Sequence, residues 1–243
     1  MLQKIRIILV SPTHPGNIGS AARAMKTMGL SELVLVNPCE NFPSQTATAM
    51  AAGADDILAN AQIVSSLDEA LAECQMIIGT SARLRQLPVE LLSAEQCGPF
   101  VVQQAAHSKV ALMFGREHAG LTNEELNRCH YHVHIPSNPD FSSLNLGAAV
   151  QVLSYSVRMA YLATQETPVE SSEEFEPLAS DEQMQIFYNR LEQLLLERDF
   201  IKRSSPKKIM ARLRRLFNRA QVEQTEIDLL LGVLRAVGGE RGE

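Results

Sequence analysis

Tryptophan is absent from the 243 residues, and Phe and Tyr bring the aromatic share to only 5%. A protein that grips single strands by stacking bases on rings draws on more aromatic surface than that. The four cysteines (Cys39, Cys74, Cys97, Cys129) form no C-x-x-C pair, and they are too few to staple a chain of this length. No run approaches the ~18 consecutive apolar residues of a membrane span, and the first residues lack the charge and apolar pattern of a signal peptide. The expectation is a soluble, cytoplasmic protein with no membrane partner. At 45% hydrophobic residues the chain can bury a sizeable core. At ~150 residues per domain, it reads as one large domain with a small appendage.

Several loop motifs are missing too. No G-x-G occurs anywhere, which disfavours dinucleotide folds and the common class of S-adenosylmethionine enzymes. Gly115–Thr122 (GREHAGLT) lacks the Gly-Lys-Ser/Thr ending of a phosphate loop, and no G-x-S-x-G elbow exists.

What is present alternates between strand and helix signals over the first 160 residues. Short apolar runs at Ile5–Val10, Leu33–Val36, Ile63–Val64, Met76–Gly79, Val110–Phe114 and Tyr131–Ile135 read as strands. Between them, Asn17 stands where a helix N-cap belongs, with Ala21, Ala22, Met25 and Met28 following at helical spacing. Ala47–Asn60 and Leu67–Glu73 read as further helices. Thr122 and Glu125 form a capping box, and a long helix is expected from Leu146 to Ala163. The fold class is therefore α/β, a largely parallel sheet covered by helices on both faces.

Residues 165–183 hold seven acids and no base, with Pro168 and Pro177, and read as an exposed linker. The predicted division is 1–164, an α/β domain; 165–183, an acidic linker; and 184–243, a helical extension. In the extension we expect helices over Met184–Arg198, from Pro206 at N1 through Arg219, and after a Thr225–Asp228 capping box.

The net charge of −6 hides a local reversal. Residues 198–219 carry nine basic side chains against one acid, +8, which leaves −14 for the rest. Two readings stand: a surface for a polyanion, or a solvated helix face whose charges pair elsewhere. His130, His132 and His134 share one strand face, but the outer two lie ~13 Å apart at 3.3 Å per residue. A metal there needs a third ligand that the sequence does not offer, so a partly solvated strand face is preferred and no metal is assigned.

Three segments follow strands and carry small and polar residues: Gly79–Arg83 (GTSAR), Gly115–Glu117 and Ile135–Leu146 (IPSNPDFSSLNL). Loops at the carboxyl ends of parallel strands converge on one crevice, the default ligand site of such a sheet. Ahead of them, Pro15–Arg23 (PGNIGSAAR) leads from the first strand into a helix, with Arg23 alone among alanines.

NIGSAARAMK (Asn17–Lys26), FGREHAGLT (Phe114–Thr122) and IPSNPDFSSLNLGAAVQV (Ile135–Val152), in that order, resemble the three signature motifs of the SpoU branch of the SPOUT-class RNA ribose 2′-O-methyltransferases. The resemblance implies a C-terminal trefoil knot, which no periodicity could reveal, and a homodimer with active sites at the subunit interface. It implies that Thr80, Ser81, Ala82, Gly115, Ile135, Ser142, Ser143 and Leu144 bind S-adenosylmethionine. Arg23, Asn17, Glu117, Ser142 and Asn145 are implied as catalytic surroundings. The reaction implied is methylation of the ribose 2′-OH of cytidine or uridine at position 32 of the tRNA anticodon loop. Arg83, Lys202, Arg203, Lys207, Lys208, Arg212, Arg214 and Arg215 are then expected to hold the RNA. Two alternatives stay open: a ribosomal RNA methyltransferase of the same class, and a non-catalytic RNA-binding protein of the same fold.

Overall fold

The computed structural model describes residues 1–40, 42–81, 89–166, 176–201 and 207–238. Seven strands form one sheet: β1 (Ile5–Val10), β2 (Glu32–Val36), β3 (Gln62–Val64), β4 (Met76–Thr80), β5 (Glu90–Ser93), β6 (Val110–Phe114) and β7 (Tyr131–His134). Their order is β3-β2-β1-β6-β4-β7-β5, and every pairing is parallel. β1 is buried along all six residues, which is why its sequence is unbroken in apolar character apart from Arg6. That arginine is held by Glu32, Glu73 and the Ala70 carbonyl, so its charge is compensated within the core.

The helices are α1 (Pro15–Met28), α2 (Gln45–Ala51), α3 (Asp55–Ala59), α4 (Leu67–Leu71), α5 (Ala94–Ala105), α6 (Asn123–Leu126), α7 (Leu146–Glu166), α8 (Asp181–Glu197), α9 (Lys207–Ala220) and α10 (Gln224–Gly238). Alternate residues of the strands divide the core into two layers. Ile5, Ile7 and Leu9 meet Ile18, Ala22 and Met25 of α1, Val101 of α5, and Val150, Leu153 and Val157 of α7. Ile8, Val10, Ile77 and Met113 face Leu71 of α4 and Leu126 of α6 on the other side. A third cluster, with Phe187, Tyr188, Met210 and Ile227, is the core of the C-terminal helices.

Several expectations are corrected. Asn17 does not cap α1: the helix starts two residues earlier with Pro15 at N1, preset by its ring. The segment Ala47–Asn60 is two helices, broken where Ala52 and Gly53 take positive φ. Neither β5 nor α5 is announced by the sequence pattern. Thr225 forms no capping box with Asp228; Glu226 instead reaches back to the Glu223 amide, and the Thr225 N–H donates to Glu176. The acidic segment is packed at its C-terminal end, where Leu178, Ala179 and Asp181 are buried and Ser180 with Gln183 makes a capping box for α8. Pro206 lies outside the described residues, and α9 begins at Lys207. The box at Thr122 and Glu125 forms as expected.

The extension is fastened to the sheet domain along a polar seam. Arg128 pairs with Asp181 of α8 and, at 2.7 Å, with Asp68 of α4. The Asp181 amide donates to the Cys74 carbonyl. Asn218 of α9 donates to the carbonyls of Asn127 and Cys129, and Gln221 donates to the Tyr131 hydroxyl.

Candidate active site

The carboxyl ends of β4, β6 and β7 surround a crevice of about 420 Å³, within the range of small-molecule sites. Three loops build it. Beyond β4, the Ser81 amide donates to the Val133 carbonyl and extends the ladder into the loop. Beyond β6, Arg116 and Gly120 exchange backbone hydrogen bonds around a tight turn, with Gly120 at φ 66. Beyond β7, Asn138 caps a short turn over Pro139–Phe141, and the Ser137 hydroxyl donates to the Ser142 carbonyl.

Glycine is required at the floor. A Cβ on Gly115 would lie 2.1 Å from the Gly120 carbonyl carbon and 2.2 Å from the Leu121 nitrogen, both backbone atoms that cannot step aside. The walls mix apolar side chains (Leu121, Val133, Leu146) with the hydroxyl-bearing Thr80, Ser81, Ser142 and Ser143. That set suits an adenosyl group: flat apolar surface for the base, with amides, carbonyls and hydroxyls for its edges and ribose.

Glu117 anchors the rim. Its carboxylate accepts from the Thr13 and His14 amides, the Thr13 hydroxyl (2.8 Å) and Asn17 Nδ2 (2.9 Å). Partial burial works against the charge, but the hydrogen bonds from Asn17 and Thr13 outweigh it and hold the carboxyl at about 2. Asn17 Oδ1 in turn accepts from Asn145 Nδ2 at 2.8 Å, and Asn145 Oδ1 accepts from the Gly147 and Ala148 amides at the start of α7. One chain of polar contacts therefore ties the β6 loop, α1 and α7 together. Because the folded carboxyl titrates below its unfolded value, the stability it contributes is complete above the ordinary carboxylate range. That stability is lost as pH falls toward 2. Carbon-detected titration of Glu117 is expected to find it still ionised at pH ~3, where an unconstrained glutamate is protonated.

The profile of the SpoU rRNA Methylase family matches residues 4–155, which hold all three loops and the Glu117 anchor. The chain belongs to the SpoU methylase family. Residues 182–242 also match the C-terminal domain of the tRNA methyltransferase TrmJ. The tRNA (cytidine/uridine-2′-O-)-methyltransferase TrmJ of Escherichia coli (strain K12) is 53% identical over 237 residues, covering 98% of this chain and 96% of that protein. The crystal structure of TrmJ from Z. mobilis ZM4 superimposes with a TM-score of 0.85 at 31% identity, covering 96% of this chain and 98% of that one. A probable methylase family protein from Haemophilus influenzae Rd KW20 shares 45% identity with a TM-score of 0.67, covering 99% of this chain and 98% of that one.

Within this SpoU methylase, Thr80, Ser81, Gly115, Ile135, Ser142, Ser143 and Leu144 all line the crevice. Ala82 and Arg83 lie outside the described residues, as do Lys202 and Arg203. Glu117 lines it as well, whereas Asn17 and Asn145 stand behind it as braces, and Arg23 is exposed on α1 away from its lining. Arg116 is the clamped cation of this loop: Glu125 takes it at 3.0 Å and Ser11 at 3.2 Å. The three strand histidines are all engaged with backbone. His130 Nδ1 accepts from the Ile77 amide, His132 contacts the Leu126 carbonyl, and His134 contacts the Ser81 carbonyl.

Of the basic residues of α9, Lys208, Arg212 and Arg215 are exposed. Arg214 differs. It is half-buried, its guanidinium lies 4.2 Å from the Tyr188 ring centre, and it donates to Gln185 Oε1 at 2.8 Å. Burial lowers its pKa, and its guanidinium packs against the α8 side chains Tyr188 and Gln185. Sequence reasoning missed Leu121, Val133, Leu146 and Ala149 as crevice walls, because apolar residues at strand and helix ends carry no motif of their own. It also missed His118, the exposed neighbour of Glu117.

Proposed function

We propose that this chain transfers a methyl group from S-adenosylmethionine to the ribose 2′-OH of cytidine or uridine at position 32 of the tRNA anticodon loop. One observation carries the reading: the crevice built by the three signature loops and the TrmJ-type C-terminal helices occur in one chain whose likeness to TrmJ runs nearly end to end. The donor, when bound, supplies an electrophilic methyl group. The loop residues Thr80, Ser81, Ala82, Gly115, Ile135, Ser142, Ser143 and Leu144 would hold it, largely through backbone groups.

Asn17, Glu117 and Asn145 position rather than react. Glu117 has its lone pairs filled by four donors and its carboxyl held at about 2, so it takes no proton from a hydroxyl near neutral pH. Arg23 is assigned to the phosphate beside the target ribose and to the oxyanion that develops on it. Ser142 Oγ relays the departing proton to solvent. Arg23 does not line the crevice of its own chain, which supports the reading that each site is completed by a second copy. Val152, Tyr155, Met159 and Leu162 form an exposed apolar stripe along α7 that suits such a homodimer. The trefoil-knotted threading belongs to the same reading. It is supported by α7 starting beside Asn17 of α1 although β7, which precedes it, is separated from β1 by both β6 and β4.

In this division of labour residues 1–164 carry the chemistry and residues 184–243 grip tRNA, joined by 165–183, all in the cytoplasm where the substrate is found. Lys202, Arg203, Lys207, Lys208, Arg212 and Arg215 supply the grip, together with Arg83. Log K for tRNA is then expected to fall linearly with log salt, and Arg212→Ala with Arg215→Ala to flatten that slope by about one unit per lost phosphate contact. An unchanged slope removes α9 from the interface. The reading as a whole is tested by transfer of labelled methyl to unmodified total tRNA followed by nucleoside mapping. A 2′-O-methyl pyrimidine at position 32 supports it. Label appearing only in ribosomal RNA, or cofactor binding without transfer, overturns it.

A further inference from the structure

The crevice rim carries two imidazoles with no role so far. His14 precedes α1, and His118 follows Glu117 in the β6 loop and lines the crevice. Their ring centres are 6.4 Å apart, edge to face. Both side chains are exposed, and no described residue hydrogen-bonds to any of their ring nitrogens. Their positions are nonetheless fixed, because the His14 amide donates to the Glu117 carboxylate and His118 is its chain neighbour. The same carboxylate that fastens α1 to the β6 loop therefore sets two imidazoles side by side at the crevice mouth.

From this arrangement we infer that His14 and His118 form a two-imidazole clamp for a backbone phosphate of the substrate RNA, an inference that rests on the methyl-transfer reading above. Of the crevice-lining residues only Arg116, Glu117 and His118 have strongly ionisable side chains. Arg116 is turned onto Glu125 and Ser11, and Glu117 is saturated by Thr13, His14 and Asn17. Asn17 on α1 is uncharged and committed to Glu117 and Asn145. Among the described ionisable side chains at the crevice mouth, the two imidazoles are the ones without a hydrogen-bond partner, so their ring nitrogens can face an entering strand. Two protonated rings this close repel each other, and a phosphate lying across them removes that repulsion while accepting a charge-assisted hydrogen bond from each. The target nucleotide is thereby held at the rim with its ribose directed into the crevice.

Because the phosphate favours protonated rings, affinity for tRNA is greatest at low pH and falls as pH rises. Glu117 and Glu125, whose carboxyls are held below the ordinary carboxylate value by their hydrogen bonds, stay ionised throughout and do not contribute to the trend. The experiment is a titration of unmodified tRNA onto the full chain between about pH 6 and pH 8.5, with methyl transfer measured in parallel, for the native protein, His14→Gln/His118→Gln and His118→Arg. The native Kd is expected to rise about tenfold across the range, the magnitude of one charge-assisted hydrogen bond lost. The double variant is expected to bind weakly with a flat profile, and His118→Arg to bind tightly with a flatter one. A double variant with native Kd and native pH profile overturns the clamp. So does one whose kcat collapses while tRNA affinity is retained, since that makes an imidazole the proton acceptor. If the native protein shows the pH-dependent binding but transfers no methyl to tRNA, the clamp stands and the methyl-transfer reading falls.

Discussion

Replacing Arg23 with alanine is expected to lower kcat by about 10²–10³, the cost of removing one preorganised donor from a developing oxyanion, and to leave cofactor affinity nearly unchanged. The separation follows from where the residue stands. Arg23 is exposed on α1, forms no ion pair with any described residue, and is not part of the crevice wall. Its loss therefore removes neither a fold contact nor a cofactor contact. Lysine at this position keeps the charge but not the planar fork, so Arg23→Lys is expected to recover only part of the rate. Single-turnover methyl transfer together with calorimetric cofactor binding checks both halves. Equal loss of rate and cofactor affinity would show that Arg23 supports the crevice instead of the reaction.

The largest expected loss of stability comes from the seam between the sheet and the C-terminal helices. Asp181→Ala leaves Arg128 paired only with Asp68, which is 73% exposed against 6% for Asp181. Arg128 itself is 14% exposed, and its Nε already lacks a hydrogen-bond partner. Removing one member of a buried ion pair costs about 3–5 kcal/mol, because the other charge stays desolvated. Burial raises the Asp181 carboxyl pKa although Arg128 pulls it down, which shows how costly that charge is without its partner. Chemical denaturation is expected to show the C-terminal helices releasing first, at lower denaturant than the sheet. Replacing both partners with apolar residues, Arg128→Met with Asp181→Leu, is expected to restore much of the loss. If the single variant unfolds as the native protein does, the seam is not held by this pair.

The crevice was readable from sequence because its loops combine position with composition: each follows an apolar run, and each uses small residues where backbone must approach a ligand. The braces behind it were readable only in part. Asparagine before an apolar helix usually caps it, but Pro15 starts this helix and frees the Asn17 amide to link Glu117 with Asn145. β5 and α5 escaped because β5 has four residues with only Leu92 buried, and Pro99 interrupts the helical signal of α5. The acidic segment ahead of α8 illustrates the limit of composition. Its charge density argued for solvent, yet Leu178 and Ala179 pack and Asp181 answers a buried arginine that lies 53 residues earlier. The same limit applies to Arg214, which counted toward a basic stripe until its contact with Tyr188 placed it inside.

The central position of β1 has a consequence for how the chain is made. β1 leaves the ribosome first, but the sheet seats it between β2 and β6, with Ile5 opposite Val110. At about 5–20 residues per second, synthesis takes roughly 5–20 s to deliver that second neighbour. Through that interval one edge of a strand that is apolar except for Arg6 is unpaired; β4, although already made, has no β6 to pair with, and β7 arrives later still. Such non-local parallel pairing folds slowly and leaves nascent chains open to aggregation. The centre of the sheet is therefore completed late in synthesis, only once β6 has emerged beside β1.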